Sequence, residues 1–201
     1  MSFRMLQADV LSWAKDKDLL HSENADKQFM KFVEEVFEFK TEMDNWAKNV
    51  EMCEAIDYPF ENTDFDFRNL KLEMGDVFVT LIILCKQLGI DSKECIDIPY
   101  EKISKIKVST RIVSKQFMKF VEQVLDFKTE LDMFEYGGEI LKPVNLEHVK
   151  DEMGDIFVTL IILCEQIGID PEECLSMAYE KIKNRSGKTI NGQFIKEDLE
   201  E

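Results

Sequence analysis

Positive charge is scarce in this chain. Lys and Arg total 25 against 41 Asp and Glu, a formal net charge of −16 over 201 residues. Such a surface repels phosphate backbones and anionic bilayers, so no nucleic-acid partner and no membrane partner are expected. A small phosphorylated ligand stays compatible, because a bound cation inverts the local field. Histidine is nearly absent. Neither His21 nor His148 follows a Glu by three residues, which sets aside a di-iron bundle built on Glu-x-x-His pairs. Cys53, Cys85, Cys95, Cys164 and Cys174 form no CxxC pair, and they read as reduced, mostly buried thiols of a cytoplasmic protein. Long apolar runs are missing too. "VFVTLIILC" (77–85) is too short to span a bilayer, and "MSFRMLQADVLSWAKDK" lacks the apolar stretch of a secretory leader. Sustained strand alternation is weak. No Walker-type loop is present, since "GGE" at 137–139 lacks the GK[ST] ending and reads as a turn.

What the chain does have is a duplication. "KQFMKFVE" stands at 27–34 and again at 115–122, 88 residues on. "EMGDVFVTLIILC" at 73–85 returns as "EMGDIFVTLIILC" at 152–164, only 79 residues on, so the first copy's connection is nine residues longer. "GIDSKEC" and "GIDPEEC", and Tyr100 and Tyr179, keep the second offset. This is tandem duplication of one unit rather than a solenoid. The expected organisation is 1–108 for the first repeat and 109–201 for the second.

Each repeat reads as helices. Phe29, Phe32, Val33, Val36, Phe39 and Met43 follow three- and four-residue spacing, the stripe of a helix with one buried face. Gly89 ends the second long helix. Asp91 with Glu94 makes a capping-box pattern, and in the second copy Asp170 caps with Pro171 at the first helical position. The fold class expected is all-α, a helical bundle of two tandem units packed as a pseudo-dimer, with further homodimerisation open. The copies have lost complementary ends. The first keeps an extra N-terminal helix, "RMLQADVLSWAKDKDLL". It ends in "YEKISKIKVST", with Pro99 inside its last helix, whereas the second ends in the basic "YEKIKNRSGKTINGQFIKEDLE".

The chemistry lies in paired acids. Glu35 and Glu38 are three apart on one helix, with Glu34 beside them, and Glu73 and Asp76 are three apart on the next. Gly75, between the latter two, removes a side chain where another backbone or a ligand can approach closely. After Asp76 the helix turns fully apolar. Carboxylates at the mouth of a buried helix are costly unless paired or bound to a cation. Four of them converging from two helices form an oxygen-rich site suited to Mg²⁺, with Mn²⁺ as the alternative.

"EEVFE", then "EMGDVFVTLIILCKQLGID", then "AYEKIKNRSGKTINGQFIKED" resemble the MazG-like all-α nucleoside triphosphate pyrophosphohydrolases over nearly the whole chain, twice over. The resemblance implies Mg²⁺-dependent cleavage of a (d)NTP to the monophosphate and pyrophosphate. It places metal ligands at Glu35, Glu38, Glu73 and Asp76, and catalytic roles at Glu38 and at Glu34, an accessory acid that could take a proton from water. The matching positions of the second copy are Gln123, Asp126, Glu152 and Asp155, with Glu122 as the accessory. A neutral amide at 123 holds a divalent cation poorly, so the second site is expected to be crippled. The resemblance also places phosphate contacts at Lys183, Arg185, Lys188, Asn184 and Asn191, which the first copy lacks. One composite active site is therefore expected, with acids from the first copy and a tail from the second.

The base site is less legible. Trp13, Lys27, Gln28 and Lys31 are candidates to frame a base. The connection carrying Trp46, Tyr58, Phe60, Phe65 and Phe67 reads equally as a lid or a contact surface. Two other classes stay open: a nucleotide-binding regulator without turnover, and a structural helical protein whose acids form a solvated face.

Overall fold

The computed structural model describes residues 2–96, 110–136 and 146–196. Pro99 and the turn expected at 137–139 lie outside them. The chain is mostly helical, as the apolar periodicity predicts, and it divides into two compact units.

The first unit comprises Met1–Ile90 and Ile169–Glu201. Its helices are α1 (Phe3–Asp16), α2 (Ala25–Ala55), α3 (Arg68–Gln87) and α7 (Pro171–Ile182). Of the predicted stripe on α2, Phe29, Phe32, Val36, Phe39 and Met43 are buried and Val33 is half-buried. They pack on α3, which also packs against α1 and α7. This explains the unbroken apolar run on α3: every residue from Met74 to Cys85 is buried, because neighbours approach from several sides. Burial of such side chains contributes about 1.5–3 kcal/mol each relative to exposure. Gly89, with φ +74°, follows the end of α3. Asp170 caps α7 as expected, accepting from the backbone N–H of Glu172 (2.7 Å) and Glu173 (3.0 Å), with Pro171 next.

The second unit is Asp91–Gly168. It holds α4 (Ser92–Ile96), α5 (Thr110–Tyr136) and α6 (Leu146–Ile167), with α6 packed on both others. Phe117, Phe120, Phe127, Met153, Phe157 and Leu160 form its interior. The boundary at 108/109 that the repeats suggest is not where the compact units divide. The last helix of the second repeat, α7, lies on α3 of the first, and α4 of the first lies on α6 of the second. The physical reason sits at Gly75, where the Cys174 carbonyl of α7 enters the notch left by the missing side chain.

Past α7 the all-α fold carries one small sheet. Gly187–Ile190 (β1) and Gln193–Lys196 (β2) form an antiparallel hairpin, Lys188 opposite Ile195 and Thr189 opposite Phe194. Asn191 (φ +51°) and Gly192 (φ +79°) make the turn. Two consecutive positive φ values suit a tight hairpin and favour the Asn-Gly pair. The hairpin seats against the first unit's helices. Phe194 meets Trp13 edge-on at 5.7 Å, Lys27 Nζ donates to the Asn191 carbonyl at 2.6 Å, and the Thr189 hydroxyl donates to the Lys17 carbonyl.

The long connection of the first copy is partly helix, since α2 runs to Ala55. Phe60, Phe65 and Phe67 pack as a ring cluster, with Phe60 edge-on to the buried Trp46 at 6.5 Å.

Candidate functional site

Three carboxylates of the first unit come together. Glu35 projects from α2, and Glu73 and Asp76 from α3, with one ligand atom from each within 4.8 Å of the other two. Glu35 and Asp76 are buried, only 7% and 8% exposed. Among the described residues this is the one group of three acidic, Cys or His ligand atoms so gathered.

The surroundings resist the charge they hold. Burial is the largest cause that raises the Glu73 pKa, to about 7, and the neighbouring Asp76, Glu38 and Glu35 add to it against Lys181. Glu73 Oε2 is buried with no hydrogen-bond partner. Burial likewise raises Asp76, although a hydrogen bond from Lys181 and the charges of Lys181 and Arg185 oppose the shift. Lys31 Nζ lies 2.8 Å from Glu35 Oε1 and 3.0 Å from Glu34 Oε2. Burial disfavours its charge, and these two bonds more than compensate, so its pKa rises. A hard divalent cation fits this donor set: all oxygen, three carboxylates, and one buried oxygen still lacking a partner.

Glu35 and Asp76 form part of the wall of a cavity of about 320 Å³. Its lining includes the polar Lys27, Lys31, Glu34 and Arg185 and the apolar Trp13, Val79, Ile83, Ile182 and Phe194. The Trp13 indole N–H is buried without a partner. Gln28 lies in the wall and donates its amide to the Thr80 carbonyl at 3.0 Å.

The structure sorts the residues named from sequence. Glu35, Glu73 and Asp76 meet. Glu38 is exposed and outside their 4.8 Å group, although its charge reaches Glu73. Glu34, Lys31, Arg185 and Trp13 reach the cavity. Lys27 reaches it too, but its amine is engaged by the hairpin turn, and Asn191 takes part there through its carbonyl. Lys183 pairs with Glu180 at 2.5 Å, Lys188 is exposed on β1, Asn184 is exposed beyond α7, and none of the three lines the cavity. None of the aromatic residues of the long connection does either. Lys181 is the residue sequence reading missed. No local pattern marks it, because its partner Asp76 lies 105 positions away in the chain.

The second copy shows the consequence of its substitution. Gln123 Oε1 accepts from the Thr159 hydroxyl, and Asp126 and Asp155 are exposed. Glu152 is raised chiefly by burial and held down by His148, whose ring nitrogen lies 3.9 Å away.

Comparison with known proteins found no family model, no curated protein and no solved structure that matches this chain.

The raised Glu73 pKa gives a pH prediction. The folded state keeps the Glu73 proton up to about pH 7, whereas an ordinary Glu releases it near 4.5. The folded state therefore binds more protons in this window, and this group's contribution to stability falls as pH rises through it. Glu73→Gln should melt above wild type at about pH 8 and nearly with it at about pH 5. Thermal melts at both pH values check this, and an equal difference at the two would contradict it.

Proposed function

We propose that this chain is a Mg²⁺-dependent nucleoside triphosphate pyrophosphohydrolase of MazG-like type, converting a (d)NTP and water to the monophosphate and pyrophosphate. One observation carries the reading: acids of the first repeat and cations of the second share one site, where Lys181 donates to Asp76 and Arg185 lines the same cavity as Asp76. Three carboxylates alone are common on helical proteins. Buried carboxylates at a cavity that basic residues also line suit a ligand that brings both a cation and phosphates.

Glu35, Glu73 and Asp76 would hold Mg²⁺ (or Mn²⁺), with Glu38 one turn further along α2. A cation there supplies neutralisation of phosphate oxygens and a lower pKa for bound water. Glu34, exposed at the rim, is the candidate to accept the water's proton. Lys181 on α7 and Arg185 just beyond it balance phosphate charge. Lys183, Lys188 and Asn191 lie outside the cavity wall and are not needed for this reading. The cavity's apolar lining, with the Trp13 N–H, is the place for the base. The two repeats, exchanging their last helices, act as an intrachain pseudo-dimer with one active site. A cytoplasmic location fits five free cysteines and the lack, among the described residues, of a helix long and apolar enough to cross a membrane.

The test is a panel of common NTPs and dNTPs with and without Mg²⁺, assayed for pyrophosphate. Mg²⁺-dependent release from at least one nucleotide is expected. Binding without release would favour a regulatory nucleotide-binding protein, and no response to nucleotide or Mg²⁺ would favour a structural role.

A further inference from the structure

Two lysines occupy the acidic cluster in a revealing way. Lys181 Nζ bonds Asp76 Oδ2, and Lys31 Nζ bonds Glu35 Oε1 at 2.8 Å. The third carboxylate, Glu73, has a buried oxygen with no partner. Two of the three carboxylates thus each carry an ammonium on one oxygen. The amines arrive from different helices, α7 and α2, and from different repeats. Their side chains are 37% and 45% exposed, so each has room to leave. A lysine is a compact charge on a flexible stem, and it can change partner without breaking a two-pronged geometry as arginine would.

Resting on the metal reading above, we propose that Lys181 and Lys31 are exchangeable counter-ions. They hold Asp76 and Glu35 in the cation-free protein, yield those oxygens when a divalent cation binds, and turn to the phosphates of the nucleotide. Linkage then makes the site selective. The lysines compete with free cation, and they favour the cation–nucleotide complex, whose phosphates give them a new partner. Both effects come from the same two residues and have opposite signs.

The experiment measures Mn²⁺ binding to the full chain by electron paramagnetic resonance, alone and with a non-hydrolysable triphosphate analogue. Wild type is compared with Lys181→Met, Lys31→Met and Arg185→Met. Either lysine variant should bind free Mn²⁺ about tenfold more tightly and the Mn²⁺–analogue complex about tenfold more weakly. Arg185→Met removes a charge that acts on Asp76 without a hydrogen bond to it, so it should tighten free Mn²⁺ less. Wild-type binding of Mn²⁺ with no tightening in the lysine variants would overturn this proposal and leave the metal reading intact. Equal tightening by Arg185→Met would also overturn it, since diffuse charge would then suffice. No Mn²⁺ binding by any of the four chains would remove both. Should Lys181→Met fail to fold by circular dichroism, Lys31→Met decides alone.

Discussion

Asp76→Asn is expected to lower kcat/KM for pyrophosphate release on the order of a thousandfold, the scale lost when one electrostatic contact to a reacting phosphate is removed. Asp155→Asn, the same change at the matching position of the second repeat, is expected to stay within about twofold, as surface substitutions do. The asymmetry follows from the neighbours. Asp76 is 8% exposed, within ligand distance of Glu35 and Glu73, and bonded to Lys181. Asp155 is exposed, and the residue matching Glu35 is Gln123, whose oxygen is taken by Thr159. Circular dichroism and thermal melts of both variants separate lost chemistry from lost fold. Equal losses in the two would show that both clusters work, or that both acids serve one site.

The largest stability effect is expected at Gly75. A Cβ there would lie 2.1 Å from the Cys174 carbonyl oxygen and 2.7 Å from the Ala178 Cβ. The nearest of these atoms is backbone of α7, so no side-chain rotation relieves the clash. Overpacking of this kind costs about 1–3 kcal/mol and occasionally more. It outweighs the roughly 1 kcal/mol that Ala gains over Gly inside a helix. With the clash near the top of that range, the net cost is about 2 kcal/mol, and Gly75→Ala should lower Tm by roughly 4–8 °C, at 2–4 °C per kcal/mol for a chain of this size. Gly154 is its counterpart in the second repeat and makes a built-in control. There a Cβ would meet only the Cys95 carbonyl oxygen, at an ordinary 3.6 Å. Gly154→Ala should raise Tm by roughly 2 °C, through helix propensity alone. Shifts of the same sign in the two variants would mean that the notch at Gly75 is not what seats α7. Because α7 carries Lys181, and Arg185 follows close behind it, Gly75→Ala should also depress turnover beyond its effect on stability.

Much of this was legible in the residues. Period and repetition expose the helices and the duplication, because both are local patterns. Asp170-Pro171 and Gly89 mark helix ends by conformational preferences that need no tertiary partner. Gly75 was legible as a close approach, though the strand of chain that fills it, at Cys174, was not. Glu35, Glu73 and Asp76 were found together because three-residue spacing fixes a shared face. The same spacing does not fix depth, and Glu38, one turn along, ends exposed.

What sequence reading lost has the same physical character. Lys181 meets Asp76 across 105 positions of chain, and no local pattern encodes that pairing. The family resemblance groups Lys183 and Lys188 with Arg185. The chain leaves its helix after Ile182, so their spacing no longer decides their direction. The hairpin at 187–196 carries little strand pattern, because its strands are four residues each and largely exposed. Its Asn191-Gly192 turn was the signal that could have found it.

Phosphorus NMR of the full chain turning over its preferred triphosphate with Mg²⁺ tests the central claim, one metal-and-phosphate site drawn from both repeats. Nucleoside monophosphate and pyrophosphate should appear in equal amounts. The rate should collapse in Asp76→Asn and fall on the order of a hundredfold in Arg185→Ala. Release of inorganic phosphate with a diphosphate, or an undiminished rate in Arg185→Ala, would contradict it.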